Sequence, residues 1–305
     1  MKRPTIGIVG AGRLATALAP LFVAAGYRIA AVTSARPADA RRLARATRAR
    51  ACDSSADVAR RADCILLAVP DRILVRAARA LARAASLCLE GKTVLHHVGG
   101  LGLEPLAPLV ARGAEVGVLH PLQTLADPRL ARALVPGSRA RIEGTPGALR
   151  MARRIARDLG FVPLELGARA SRADRIAYHA AAVLAANDLL GLLAIAARIL
   201  ASVGVEPRAA ERALLRLARG AIEHAEQHGL ACALTGPVAR GDAEVVRAHL
   251  GVLGRRAPDA SALHRMLSRQ LLALAYPGPR ARSAAARTLR RVLDARRGPT
   301  LRPTV

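Results

Sequence analysis

The 305-residue chain has no tryptophan, three tyrosines and two phenylalanines, so aromatic residues make up only 2% of it. That is too few rings for a surface that stacks the bases of single-stranded nucleic acid. Lysine is as scarce: only two of the 48 basic residues, Lys2 and Lys92, are lysine, and arginine carries nearly all of the formal charge of +26. The arginines are scattered along helical segments, as at Arg41, Arg42, Arg45 and Arg48, and form no basic tail. Such scatter reads as a solubilising surface, and no nucleic-acid partner is expected. The four cysteines, Cys52, Cys64, Cys88 and Cys232, make no C-x-x-C pair and no zinc-ligand spacing. No metal is expected, and the thiols read as small buried groups in a reducing compartment. No uninterrupted membrane span is present either. The most apolar run, 180–197, has Asn187 and Asp188 at its centre, a pair costly in lipid, so a buried core helix and no membrane partner are expected. A strand begins almost at once, at 5–9, with no signal peptide ahead of it, and a cytoplasmic location is expected.

What the chain does have is length for two domains and an alanine- and leucine-rich composition that favours helices. β-like runs at 5–9, 28–33, 64–69 and 93–97 alternate with helical stretches at about 13–25, 37–48 and 72–87. Another strand ends at Leu119, and Pro128, Pro136 and Gly137 then break the pattern. A strand at 139–143, a helix at 146–159 and a strand at 161–166 follow. From about Arg172 only helical stretches remain, divided at Gly204–Pro207, Gly229, Gly236-Pro237 and Pro277–Pro279. The expected fold is α/β. An N-terminal Rossmann domain, a doubly wound parallel sheet, occupies 1–168, and an all-α domain occupies 169–296 with a tail at 297–305.

Ile8-Val9-Gly10-Ala11-Gly12-Arg13-Leu14-Ala15 carries G-x-G-x-x-A between a strand and a helix. Gly10 allows the tight turn, Gly12 has no side chain to block a pyrophosphate, and Ala15 lets the helix pack on the sheet. The N–H groups and dipole at the helix start, from Arg13 and Leu14 onward, receive the negative charge. The second strand ends in Val32-Thr33-Ser34-Ala35-Arg36 with no acid until Asp39. An NAD site usually places Asp or Glu there. The hydroxyls of Thr33 and Ser34 and the guanidinium of Arg36 suit a 2′-phosphate, so NADP is the expected cofactor. Ala68-Val69-Pro70-Asp71 ends the strand at 64–69, where Val69 and Pro70 face the cofactor and Asp71 can cap the next helix.

Only eight histidines occur, and three clusters of them stand out: His96-His97-Val98-Gly99-Gly100, His120-Pro121-Leu122-Gln123, and Tyr178-His179 at the head of the long apolar helix. His179, Val183 and Asn187 are spaced i, i+4, i+8 and share a helix face. His96 and His97 cannot both face one cleft if the strand continues, and His97 is the choice for substrate contact. Gly236-Pro237 makes a turn that presents Arg240, with Asp242 as a helix N-cap. Arg240 either grips a substrate carboxylate or bridges to Asp242 or Glu244.

These segments recur together, with Leu234-Thr-Gly-Pro-Val-Ala-Arg-Gly-Asp242, in an order that resembles Rossmann-like reductases with a C-terminal helical domain of unknown function. That family is similar to pyrroline-5-carboxylate reductase, ketopantoate reductase and 6-phosphogluconate dehydrogenase. The resemblance covers about residues 4–295 and implies a helical domain used for homodimerisation. It implies His179 where ketopantoate reductases carry a lysine general acid, and Asn187 as the substrate-contacting asparagine. Val98 stands where many relatives have serine. The expected activity is hydride transfer from NADPH to the carbonyl of a small carboxylated metabolite, with 2-ketopantoate the first candidate. In that scheme His179 supplies the proton, Asn187 orients the reacting oxygen, and Arg240, His120 and His97 contact substrate. The alternatives are an imine reductase of the pyrroline-5-carboxylate type and a non-catalytic NADP-binding sensor.

Overall fold

The computed structural model describes residues 3–85, 88–167 and 170–295. The chain divides into two compact units, Met1–Ala186 and Asn187–Val305. The boundary expected at residue 168, the last two residues of the helix expected at 72–87, and the tail from 297 lie outside the described residues.

The first unit is built on one sheet. Its strands are β1 (Ile6–Val9), β2 (Ile29–Thr33), β3 (Arg50–Ala51), β4 (Cys64–Leu67), β5 (Thr93–His96), β6 (Glu115–Pro121), β7 (Arg139–Gly144) and β8 (Val162–Leu164). They lie in the order β3-β2-β1-β4-β5-β6-β7-β8. Every pairing is parallel except β6 with β7, so the expected doubly wound parallel sheet is present with one antiparallel pair. Residues 122–138, which join β6 to β7, hold the seven-residue α6 (Pro128–Leu134). β3, α6 and the helix α3 (Ser55–Arg61) had no counterpart in the expected elements. β3 has two exposed residues and offers no alternation to read.

Helices α1 (Arg13–Ala24), α2 (Pro37–Thr47), α4 (Asp71–Ala84), α5 (Ala107–Val110) and α7 (Pro146–Asp158) complete the two covering layers. Successive strand residues point to opposite faces, and both faces are filled. Cys64, Leu66, Leu95 and Leu119 join the core under α1, α2 and α7. Ile65, Leu67, Val94 and Val116 join the core under α4 and α5. Ser54 caps α3 through the Asp57 N–H, whereas α4 starts from Pro70 with no side-chain cap, and Asp71 is its first helical residue instead of its cap.

After β8 the chain enters α8 (Arg172–Val183), which begins with a capping box formed by Ser171 and Asp174. A π turn at Leu184–Asp188 leads into α9 (Leu189–Ala201). The run Arg172–Ala201 is long and apolar enough to cross a membrane by length and composition alone. It is not the buried core helix expected: neither α8 nor α9 contains a buried residue.

The second unit continues with α10 (Pro207–His228), α11 (Leu230–Ala233), α12 (Pro237–Arg240), α13 (Ala243–Arg256), α14 (Pro258–Ala275) and α15 (Ala284–Asp294). Its core is the cluster of Val238, Val246, Leu250, Leu272, Leu289 and Leu293 contributed by α12 to α15. The expectation of an all-helical C-terminal region holds among the described residues.

Candidate active site

The glycine turn connects β1 to α1 at the carboxyl edge of the sheet, next to the point where the strand order reverses between β1 and β4. Gly10 has φ +102°, and its N–H donates to the Thr33 carbonyl at 2.8 Å. A Cβ on Gly10 would run into the Ala68 carbonyl, so the position requires glycine for both conformation and space. Gly12 is different: it is the N-cap of α1, and a Cβ there would meet nothing within 4 Å. That open approach to a helix N-terminus fits the pyrophosphate of a dinucleotide. Arg13 is exposed, Leu14 half-buried and Ala15 buried against the sheet. At the end of β2, Thr33 is buried, Ser34 half-buried, and Arg36 exposed with no ion pair among the described residues. The nearest acid in sequence, Asp39, pairs with Arg42 at 3.0 Å. These residues fit a 2′-phosphate better than a 2′-hydroxyl. Val69 is half-buried and Pro70 exposed at the end of β4, on the same edge.

The histidines collect around the Gly-Gly loop that follows β5. His96 is wholly buried and both its ring nitrogens are engaged, Nε2 with the Gly102 carbonyl at 2.8 Å and Nδ1 with the Val98 N–H at 3.0 Å. His97 is also buried. Its Nδ1 bonds the Leu119 carbonyl, while its Nε2 has no partner. Burial pushes both imidazoles down to about 4, so both are neutral near pH 7. The adjacent pair thus divides into a satisfied structural ring and one with a free nitrogen. Val98, where relatives carry serine, is packed in the apolar cluster under α4.

His120 lies in β6, which runs on through Pro121 instead of ending at Leu119. Its Nδ1 meets the Tyr178 hydroxyl at 3.0 Å. Burial, then the charge of Arg141 and the neighbouring histidines 179, 97 and 96, push it down to about 3. His179 follows on α8, with ring centroids 6.0 Å from His120 and a buried, unpartnered Nδ1. The two rings converge on Gly99. A Cβ there would lie 2.6 Å from His179 Nδ1 and 2.8 Å from His120 Nε2. The structure therefore brings His120 and His179 onto the side-chain-free Gly99, with Tyr178 bonded to His120 and His97 on the same loop as Gly99.

Asn187 is exposed in the π turn, and Asp188 is exposed with no ion pair among the described residues. In the second unit Arg240 is 61% exposed and its Nε donates to Asp242 at 2.8 Å. Asp242 is the N-cap residue of α13 but makes no cap bond. The bridge to Asp242, one of the two expectations for Arg240, is the contact present.

Sequence reading missed the charged residues beneath this cluster. Arg141, on β7, is wholly buried. It pairs with Glu143 at 2.6 Å, donates to the Leu101 carbonyl at 2.6 Å, and lies 5.6 Å from the Tyr178 ring centroid. Arg175, on α8, holds both oxygens of Glu143, at 2.9 and 2.6 Å. Burial acts to raise the Glu143 carboxyl, but Arg175 and Arg141 outweigh it and hold the group below its usual range. In a chain with so many arginines, the only signal was Arg141 and Glu143 at alternate positions of a strand otherwise ready for burial.

Residues 1–121 match the model of a Rossmann-like domain, and residues 138–271 match a domain of unknown function, DUF2520. The chain thus carries a Rossmann-like segment followed by a segment that matches DUF2520. No curated protein matches the chain. Among solved structures, the chain is similar to a candidate NADP oxidoreductase from Bacteroides fragilis. The two share 25% identity at a TM-score of 0.68, over 88% of this chain and 97% of that one. A pyrroline-5-carboxylate reductase from Coxiella burnetii shares the fold at 15% identity and a TM-score of 0.61, covering 88% of this chain and 99% of the other. A variant of an imine reductase from Myxococcus stipitatus, in complex with NAD+, does so at 18% identity and 0.56, covering 96% and 100%.

Proposed function

We propose that this protein is an NADP-dependent reductase that delivers hydride to the carbon of a C=N bond in a small carboxylated metabolite. The Rossmann-like domain and the oxidoreductase relatives support an NADP-dependent oxidoreductase. The pyrroline-5-carboxylate and imine reductases among the fold neighbours favour an imine acid. They lend no support to 2-ketopantoate, the first substrate expected from sequence.

The observation that carries the reading is that Gly10, Gly12 and the cluster around Gly99 all lie at the carboxyl ends of parallel strands in one unit. When bound, NADPH supplies the hydride. His179 Nδ1, buried and unpartnered beside Gly99, is the proton donor. His120, held neutral, accepts a hydrogen bond from the Tyr178 hydroxyl at Nδ1 and presents Nε2 to the reacting group. His97 Nε2 offers a further polar contact. Asn187 and Arg240, both in the second unit, remain candidates for substrate contact, Arg240 through the guanidinium that now pairs with Asp242. The second unit pairs two copies of the chain, a reading supported by exposed apolar residues on α9 to α11 such as Leu190, Leu217 and Leu230.

The deciding experiment follows NADPH oxidation against cyclic imine acids and 2-keto acids, with His179→Ala in parallel. Turnover of an imine acid that is lost in the variant, with NADPH affinity retained, supports the proposal. NADPH binding without turnover of any compound would make the protein a cofactor sensor. Unchanged turnover in the variant would remove His179 from the chemistry.

A further inference from the structure

Arg141 touches each of the three segments that the histidines come from. It stands opposite His120 in the β6–β7 register, so the two side chains leave the same face of the sheet. Its Nη2 donates to the Leu101 carbonyl at 2.6 Å and reaches the Val98 carbonyl at 3.5 Å, at both ends of the Gly-Gly loop. Its guanidinium lies 5.6 Å from the centre of the Tyr178 ring, whose hydroxyl meets His120. Its Nη1 pairs with Glu143, which Arg175 grips with two hydrogen bonds from the first turn of α8, one turn before Tyr178 and His179. Only a planar, permanently charged fork can serve a carboxylate, a carbonyl and a ring at once. Among the described residues, five buried side-chain polar atoms lack a partner, and three of them are Arg141 Nε, His97 Nε2 and His179 Nδ1. Buried polar groups are normally satisfied, and orphaned ones gather where a site holds them ready.

We propose that Arg141 is the positioning residue of this cluster, fixing the Gly-Gly loop, His120 and the Tyr178–His179 turn of α8 in one arrangement. The reading deepens the reductase proposal and rests on it only for its kinetic consequence. The groups facing His120 are Arg141 from β7, Tyr178 and His179 from α8, and His96 and His97 from the end of β5. Arg141 is the permanent cation among them, so its removal makes protonation of His120 easier.

The test uses the full chain, with and without NADP, in two variants. Arg141→Met removes the charge and leaves Glu143 still paired to Arg175. Arg141→Lys keeps the charge but cannot bridge all three partners. Side-chain NMR of His120 and amide resonances of Gly99 and Gly100 are read alongside turnover. For Arg141→Met the His120 titration midpoint moves up by about one pH unit, and kcat falls by about 100-fold with NADPH affinity unchanged. For Arg141→Lys the His120 midpoint stays, the Gly99 and Gly100 amides shift, and kcat falls by about tenfold. If Arg141→Met does not fold, Arg141→Lys decides alone. A folded variant whose His120 and glycine resonances match the parent overturns the proposal. Should no substrate turn over, the reductase reading fails by itself and the NMR measurements still decide the role of Arg141.

Discussion

The two units bury their apolar residues differently. In the first, both faces of the sheet are closed by helices, and Leu67, Leu74, Leu95 and Val116 are wholly buried. In the second, α12 to α15 enclose a small core, while α9 has no buried residue and α10 only Ala210. Leu217 is 69% exposed and Leu230 72%. The sheet and its covering helices in the first unit close their core within one chain. The second displays apolar surface of the kind that is covered by association.

The largest effect that would test this contrast comes from a pair of leucine substitutions. Leu74→Ala should cost about 2–5 kcal/mol of unfolding free energy in denaturant titrations, whereas Leu217→Glu should leave the monomer's stability nearly unchanged and abolish dimerisation in light scattering. A parent protein that is monomeric at all concentrations would break the comparison.

The two glycines of the turn sharpen it within the first unit. Gly10→Val combines a positive φ with a collision at Ala68 and should cost on the order of 3 kcal/mol and eliminate NADPH binding. Gly12→Ala points into open space, so thermal melts should stay close to the parent while NADPH affinity falls. Equal melting losses in the two would contradict the geometry.

Acid should loosen the first unit. His96 and His97 are depressed to about 4 in the folded state, from an ordinary value of 6.5. Above pH 6.5 both states are neutral and the contribution is complete. As pH falls from about 6.5 to 4 the unfolded chain takes up protons that the folded one refuses, and stability is lost. Melting temperatures recorded from pH 8 to 4 should fall through that window, and a flat profile between pH 7 and 5 would sink the idea. The smallest effect belongs to the Arg198–Asp259 pair, both about two-thirds exposed. Asp259→Asn should change stability by less than about 0.5 kcal/mol, less still at high salt.

Much of this was legible before any coordinates. The glycine turn, the alternation of β1, β2, β4 and β5 with their helices, and the helical character after Arg172 are local patterns that neighbouring residues impose on one another. The clusters around His97, His120 and His179 were visible because histidine is rare here. The apolar helix at 180–197 was misread as core because hydropathy reports what a segment would bury, not whether its own chain supplies the cover. β3 and α6 were too short to carry a period.

The sequence by itself determined the order of strands and helices, the cofactor turn and the residue types offered to the site. Only the tertiary structure decided that β7 turns antiparallel to β6. That pairing sets Arg141 opposite His120, buries one arginine among dozens of exposed ones, and draws three histidine segments onto Gly99. Register between distant strands depends on contacts that no local pattern contains, and the geometry of the site follows from that register.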